Sequence, residues 1–280
     1  MLQTKQYTVI IIALMLIGSA YFLGNTTYPL QKIAAAQQAQ LTIETLLTKA
    51  AEPLNAKQKE HAAHLASEVI KTTSDSAKAI TYNELLAFWG SEVKNDEIAI
   101  YYVAEKAKLE NSEKNLTFAA NLILDNCINN NTDQAKKGFK ANIAKSLFEK
   151  AIILNPNNDS LQVGLGGCYM FGAGGTNPME GISKVLGVIQ KDSTNAYAQK
   201  MLGYGNLQNG QLDKAAGRFE KAYLYNNNDI GLVPYLALLY KKLGNKEAAN
   251  MWYIKAKEVF VTNKQVLQEF EKEYQTPLNK

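Results

Sequence analysis

A spaced set of small and aromatic residues repeats at a fixed interval in the last third of the chain. Ala215, Phe219 and Ala222 recur 34 residues later as Ala249, Tyr253 and Ala256, and Gly203 and Gly210 recur at the same step as Ala237 and Gly244. A fixed period of this length marks a tandem array in which each unit is one supersecondary element, unable to bury its apolar face alone. The residue types say how the unit is built. Glycine or alanine at a crossing lets two helix backbones approach closely, and an aromatic ring fills the space beside it. The register also extends upstream, because Ala144 to Gly166, Gly181 to Gly203 and Ala215 to Ala237 are each 22 residues apart. It groups Ala144, Phe148, Ala151 and Pro156 in one unit and opens the next with Leu165, Gly166 and Tyr169.

This pattern resembles the tetratricopeptide repeat (TPR) family. The resemblance implies an all-α fold, a right-handed TPR solenoid of helical hairpins with a concave inner surface, and a chain that binds partners and is no enzyme. About four units are expected over residues 80–262, since stacked repeats need several neighbours to close a core. The first well-matched unit opens with a helix from Leu116 to Asn129, with Ala120 at its crossing, followed by a long polar loop through Asn129–Asp133. Upstream, Tyr82 to Trp89 and Glu97 to Leu109 read as a degenerate pair with Ala87 and Ala99 near the small positions. Residues 41–79 read as an amino-terminal cap of two amphipathic helices, one carrying Leu41, Ile43, Leu46 and Leu47, the other, after Pro53, carrying Leu65, Val69 and Ile70. Residues 263–280 read as a capping helix and tail, polar through Lys264, Gln268, Glu271 and Lys272.

In the family, the first helix of each unit lines the concave face. Carried onto this register, the inward positions are Asn121, Leu124 and Asp125, then Val163, Gly167, Met170 and Phe171, then Tyr197, Lys200, Tyr204, Leu207 and Gln208, then Leu238, Lys241 and Lys242. Asn121, Leu124, Met170, Phe171, Tyr197, Lys200, Tyr204, Leu207, Gln208, Lys241 and Lys242 are the expected partner-binding residues. Tyr204 stands where the family's carboxylate clamp has an asparagine, so that ligand is not expected. A mixed aromatic and basic wall fits an extended or helical protein segment with apolar anchors and an acidic feature near Lys200, Lys241 and Lys242.

The run from Tyr7 to Leu23 contains no charge and is at the lower length limit for a membrane-spanning helix. Gly18, Ser19 and Ala20 offer a peptidase site, but Tyr21, Phe22 and Leu23 continue the apolar run beyond it, which favours an uncleaved anchor. The expected order is a tail over 1–6, a single transmembrane helix over 7–23 and a juxtamembrane linker over 24–40. Lys5 on one side and Lys32 on the other place the amino terminus in the cytoplasm by a narrow margin and the repeats outside it. A cytoplasm-facing platform stays open as the alternative. The layout as a whole resembles that of bacterial single-anchor TPR proteins, and the resemblance implies a membrane-anchored adaptor serving envelope assembly, secretion or quality control.

Composition and isolated motifs narrow the remaining classes. Nucleic-acid sites lean on arginine for bidentate contacts, and Arg218 is the sole arginine, so no nucleic-acid partner is expected. His61 and His64 stand three apart with Glu68 a turn further on, a geometry from which a metal-dependent enzyme is the minor alternative. No third strong ligand accompanies them in sequence, and neither metal nor cofactor is expected. The glycine-rich stretch Gly164–Gly175 lacks the strand and Gly-Lys-Ser/Thr ending of a phosphate loop. It reads as a crossing residue, Gly166, followed by a lengthened turn that ends where Asn177, Pro178 and Glu180 start a helix. Cys127 and Cys168 fit no metal or disulfide framework and read as buried thiols.

Overall fold

The computed structural model describes residues 41–129, 133–172 and 177–275. The expected anchor Tyr7–Leu23 and the linker after it lie outside the described residues. Among those described, no helix is long and apolar enough to cross a membrane.

The described chain is all-α. Two short helices, α1 (Ile43–Ala51) and α2 (Ala56–Lys71), precede α3 (Asp75–Leu86) and α4 (Asp96–Glu110). Then follow α5 (Glu113–Asn129), α6 (Gln134–Leu154), α7 (Asp159–Phe171), α8 (Pro178–Lys191), α9 (Ala196–Gln208), α10 (Leu212–Tyr225), α11 (Leu232–Lys242), α12 (Lys246–Phe260) and α13 (Lys264–Gln275). Packing is most extensive within the pairs α5/α6, α7/α8, α9/α10 and α11/α12, which are the four units of the repeat register. Each pair then touches the next, so the array is built from neighbour contacts, as expected of stacked hairpins.

Local sequence sets the helix ends. Side-chain oxygens of Asn95, Asn158, Asn177, Asn195 and Asn245 accept backbone N–H groups in the first turns of α4, α7, α8, α9 and α12. Such caps satisfy donors that a helix start otherwise leaves unmet. Pro178 occupies the first turn of α8, as the sequence predicts. At the other end, α9 and α11 close on Gly210 and Gly244, with φ of +70° and +77°, where a side chain would be strained. Both turns carry the same pair of bonds: Gly210 N–H to Leu207 O with Gln211 N–H to Asn206 O, and Gly244 N–H to Lys241 O with Asn245 N–H to Tyr240 O. The corners between units also repeat. Asn158 donates to Asn155 O, Asn195 to Asp192 O, Asp229 to Asn226 O and Asn263 to Phe260 O.

The last of these corners leads into α13, which therefore stands as the first helix of a further unit. Its Phe270 is buried, with Tyr253 and Phe260 at ring distances of 5.8 and 6.1 Å. The cap is thus polar on one side only.

The crossings are where the repeat register puts them. A Cβ on Gly181 would stand 2.4 Å from the Gly166 carbonyl oxygen, so α7 and α8 meet backbone to backbone. Gly203 lies under Phe219, and Gly164 under Phe148, each within 2.6 Å of where its Cβ would be. Phe148 and Phe219 are fully buried, and burying a side chain of that size stabilises a fold by about 1.5–3 kcal/mol. The upstream pair departs from expectation. After Leu86 the helix widens into a π-helical segment, Ala87–Glu92, which shifts the facing residues; Gly90, not Ala87, meets Ala99, 3.4 Å from a would-be Cβ, and Ala87 is exposed.

Two polar ties hold neighbouring elements. Lys140, 1% exposed, reaches Glu97 Oε1 at 3.2 Å and donates to Asn126 Oδ1 at 2.8 Å, while Lys136 meets the second Glu97 oxygen at 3.1 Å. Arg218 donates to Gln199 Oε1 at 2.7 Å, and the buried Gln199 amide donates to Ser193 O. The single arginine of the chain is a brace between α10 and α9.

Candidate functional site

The first helices of the units, α5, α7, α9 and α11, carry the residues of the expected inner face. Two hydrogen bonds run between units that are not adjacent. Tyr197 Oη on α9 donates to Asn121 Oδ1 on α5 at 2.9 Å, passing α7, and Tyr235 Oη on α11 donates to Asn129 Oδ1 on α5 at 3.0 Å. The inner face therefore closes on itself. Small residues on α7 permit this: a Cβ on Gly167 would stand 2.8 Å from Leu124 Cδ2 and 2.9 Å from Met201 Sδ.

That closure corrects the expected open wall. Leu124 and Val163 are fully buried and belong to the core. Met170, also buried, packs toward α8 and α9, where Cβ atoms on Gly181 and Gly205 would meet it at 2.8 and 2.6 Å. Asn121 and Tyr197 are half-buried and engaged with each other. Burial, with Asp125 adding, pushes the Tyr197 hydroxyl far above the ordinary tyrosine range, so it stays a neutral donor.

Two of the three lysines of the expected basic end are likewise engaged internally. Lys200 Nζ lies 2.6 Å from Asp229 Oδ2. Lys241 donates to the Tyr274 carbonyl and stands 5.1 Å from the centre of that ring, so α13 takes it up. Lys242 is exposed.

What the structure does bring together is Phe171, Tyr204, Leu207 and Gln208, at the carboxyl-terminal ends of α7 and α9. With Tyr235, Ile128 and Cys127 they line a cavity of about 350 Å³, rimmed by Asn129 and Lys137. Tyr204 is held there by Phe219 and Tyr235, whose rings stand edge-on at 5.1 and 6.1 Å. The lining mixes aromatic and aliphatic side chains with the polar Asn129, Lys137 and Gln208, a make-up suited to one apolar side chain and the backbone that carries it. Tyr235, Asn129 and Lys137 were not legible as site residues. They reach the cavity because the end of α5 comes round to α11, a long-range closure that no repeat spacing encodes.

Other sequence features resolve simply. His61 and His64 are exposed, and the His61 ring stands edge-on to Phe88 at 5.4 Å. Among the described residues no group of three histidine, cysteine or carboxylate side chains is placed to hold a metal. Cys127 and Cys168 are free and buried; burial pushes the Cys127 thiol up to about 11 and Cys168 well above its ordinary value. The glycine-rich turn over 173–176 lies outside the described residues, between helix ends at Phe171 and Pro178.

No protein-family model and no curated protein matches the chain. Among solved structures, MamA from Desulfovibrio magneticus RS-1, residues 41 to the end, is 17% identical with a TM-score of 0.36, covering 66% of this chain and 96% of that one. A crystal structure of MamA protein is 19% identical with a TM-score of 0.36, covering 72% of this chain and 98% of that one. The all-α array is defined by its own helices and crossings.

Proposed function

We propose that the chain is a TPR-like adaptor, tethered to a membrane through Tyr7–Leu23, that holds a segment of a partner protein by one apolar anchor. The observation that carries this reading is the inner-face cavity of about 350 Å³ beside Tyr204, Leu207 and Gln208. A leucine- or phenylalanine-sized side chain fits such a volume, and its burial contributes about 1.5–3 kcal/mol. Gln208, Asn129 and Lys137 at the mouth supply donors and acceptors for the backbone on either side. The tether holds this modest affinity at a membrane surface, where effective concentration is high. The charge bias around Tyr7–Leu23 supports a repeat domain outside the cytoplasm, and a role in envelope assembly, secretion or quality control follows by analogy with single-anchor TPR proteins of the same layout.

The reading is tested with a photo-crosslinking amino acid placed at Gln208 in cells making the full chain. A partner of defined mass is expected to crosslink from Gln208 and not from exposed Lys214 on α10, and the chain is expected to stay with membranes after carbonate washing. Equal crosslinking from both positions would remove the cavity from the function. Extraction by carbonate would remove the tether.

A further inference from the structure

A second groove opens away from that cavity and shares no residue with it. Its lining comes from the second helices of the last two units, α10 and α12, with Asn227 beyond the end of α10. Its volume is about 680 Å³. Tyr223 and Trp252 form an aromatic floor, edge to face with centroids 5.4 Å apart, and Leu224 on the wall is 74% exposed. Gly217 leaves open space, since a Cβ there meets nothing within 4 Å.

Two features say what this groove takes. Trp252 is 6% exposed, yet its buried indole N–H has no hydrogen-bond partner, an unusual state for a buried donor. The lining also carries two lysines against one acid. Lys255 Nζ lies 4.5 Å over the Tyr223 ring and 5.5 Å from that of Trp252, and among the described residues neither Lys221 nor Lys255 has a carboxylate at ion-pair distance. Glu220, the one acid in the lining, takes the Tyr240 hydroxyl.

We propose that this groove docks an acidic protein segment carrying one apolar anchor. The anchor occupies the space over Gly217, against Tyr223 and Trp252. A turn of the indole on docking brings its N–H, buried in the free chain, to a carbonyl or carboxylate oxygen of the segment, and flanking carboxylates face Lys221 and Lys255. Aromatic floor, unmet donor and unpaired lysines each demand a different part of the same ligand. The site stands independently of the inner-face cavity, so an adaptor built this way engages two segments at once.

The test is calorimetric titration of the full chain, in nanodiscs of neutral lipid, with the capped peptide Asp-Glu-Leu-Phe-Glu-Asp and its counterpart with lysine at the four acidic positions. The acidic peptide is expected to bind about tenfold or more tighter than the basic one, with an affinity that falls as salt rises. Gly217→Leu puts a side chain into the groove from a position where a Cβ meets nothing within 4 Å; it is expected to hold or raise the melting temperature and to abolish binding. Trp252→Phe keeps an aromatic side chain, though a smaller one, and removes the N–H, and a loss of about fivefold or more is expected from a donor that finds its acceptor only in the complex. Lys221→Glu with Lys255→Glu is expected to reverse the preference between the peptides. Equal binding of the two peptides, no binding of either, or full binding to Gly217→Leu would overturn the proposal.

Discussion

Glu97 shows how one residue ties the array to what precedes it. Burial alone would push its carboxyl up, but Lys136 and Lys140 outweigh that and hold its pKa below the ordinary value of 4.5. A carboxyl depressed by folding contributes stability above its unfolded pKa, and the contribution is lost as pH falls through the folded value. Glu97→Gln leaves Lys140 buried without its counter-charge and is expected to cost about 3–5 kcal/mol at neutral pH. As pH falls through that lowered folded value the wild-type carboxyl protonates as well, and the two chains are expected to converge. Urea unfolding in a pH series taken downward from 7 checks this; a difference that keeps the same size throughout the series would show that the charge pair is not its source. The cysteines give a second residue-scale outcome. With burial pushing the Cys127 thiol up to about 11 and Cys168 well above its ordinary value, neither is expected to react with a thiol reagent at pH 8 until the chain is unfolded. Rapid native labelling of either would place it at the surface.

Helix α8 holds an internal control for the crossing geometry. A Cβ at Gly181 runs into the Gly166 backbone, whereas one at Gly187 meets nothing within 4 Å. Gly181→Ala is expected to destabilise by about 1–3 kcal/mol through overpacking. Gly187→Ala, the same change in the same helix, is expected to stabilise by about 0.5–1 kcal/mol by reducing the entropy of the unfolded chain. Denaturation of the two variants side by side decides it, and like signs would refute the register. Gly181 and Gly166 were legible because close approach demands small residues at a fixed interval, and that demand leaves a mark in sequence. The crossing of Gly90 with Ala99 was not, because the π-helical segment Ala87–Glu92 inserts a register shift where spacing alone points to Ala87. Helix starts at Asn177 and turns at Gly210 and Gly244 were legible for the same reason as the crossings: each needs a particular side chain or none.

At the scale of the whole array, sequence spacing describes contacts between neighbours, while the candidate site depends on contacts that skip units. The bonds Asn121–Tyr197 and Asn129–Tyr235 turn the inner face from an open wall into a bounded cavity. Phe171, Tyr204, Leu207 and Gln208 were legible from the repeat register, but Leu124 and Met170 were assigned to a surface that closure buries. The closure also decides which variants are informative. Tyr197 and Tyr204 brace the array, so alanine there is expected to lower the melting temperature along with any binding. Leu207→Trp instead fills the cavity from its own wall. The decisive measurement is recovery, with the Leu207→Trp chain, of the partner that crosslinks at Gln208. Recovery is expected to be lost while the melting temperature holds or rises; undiminished recovery from a well-folded Leu207→Trp chain would contradict an anchor in the inner-face cavity.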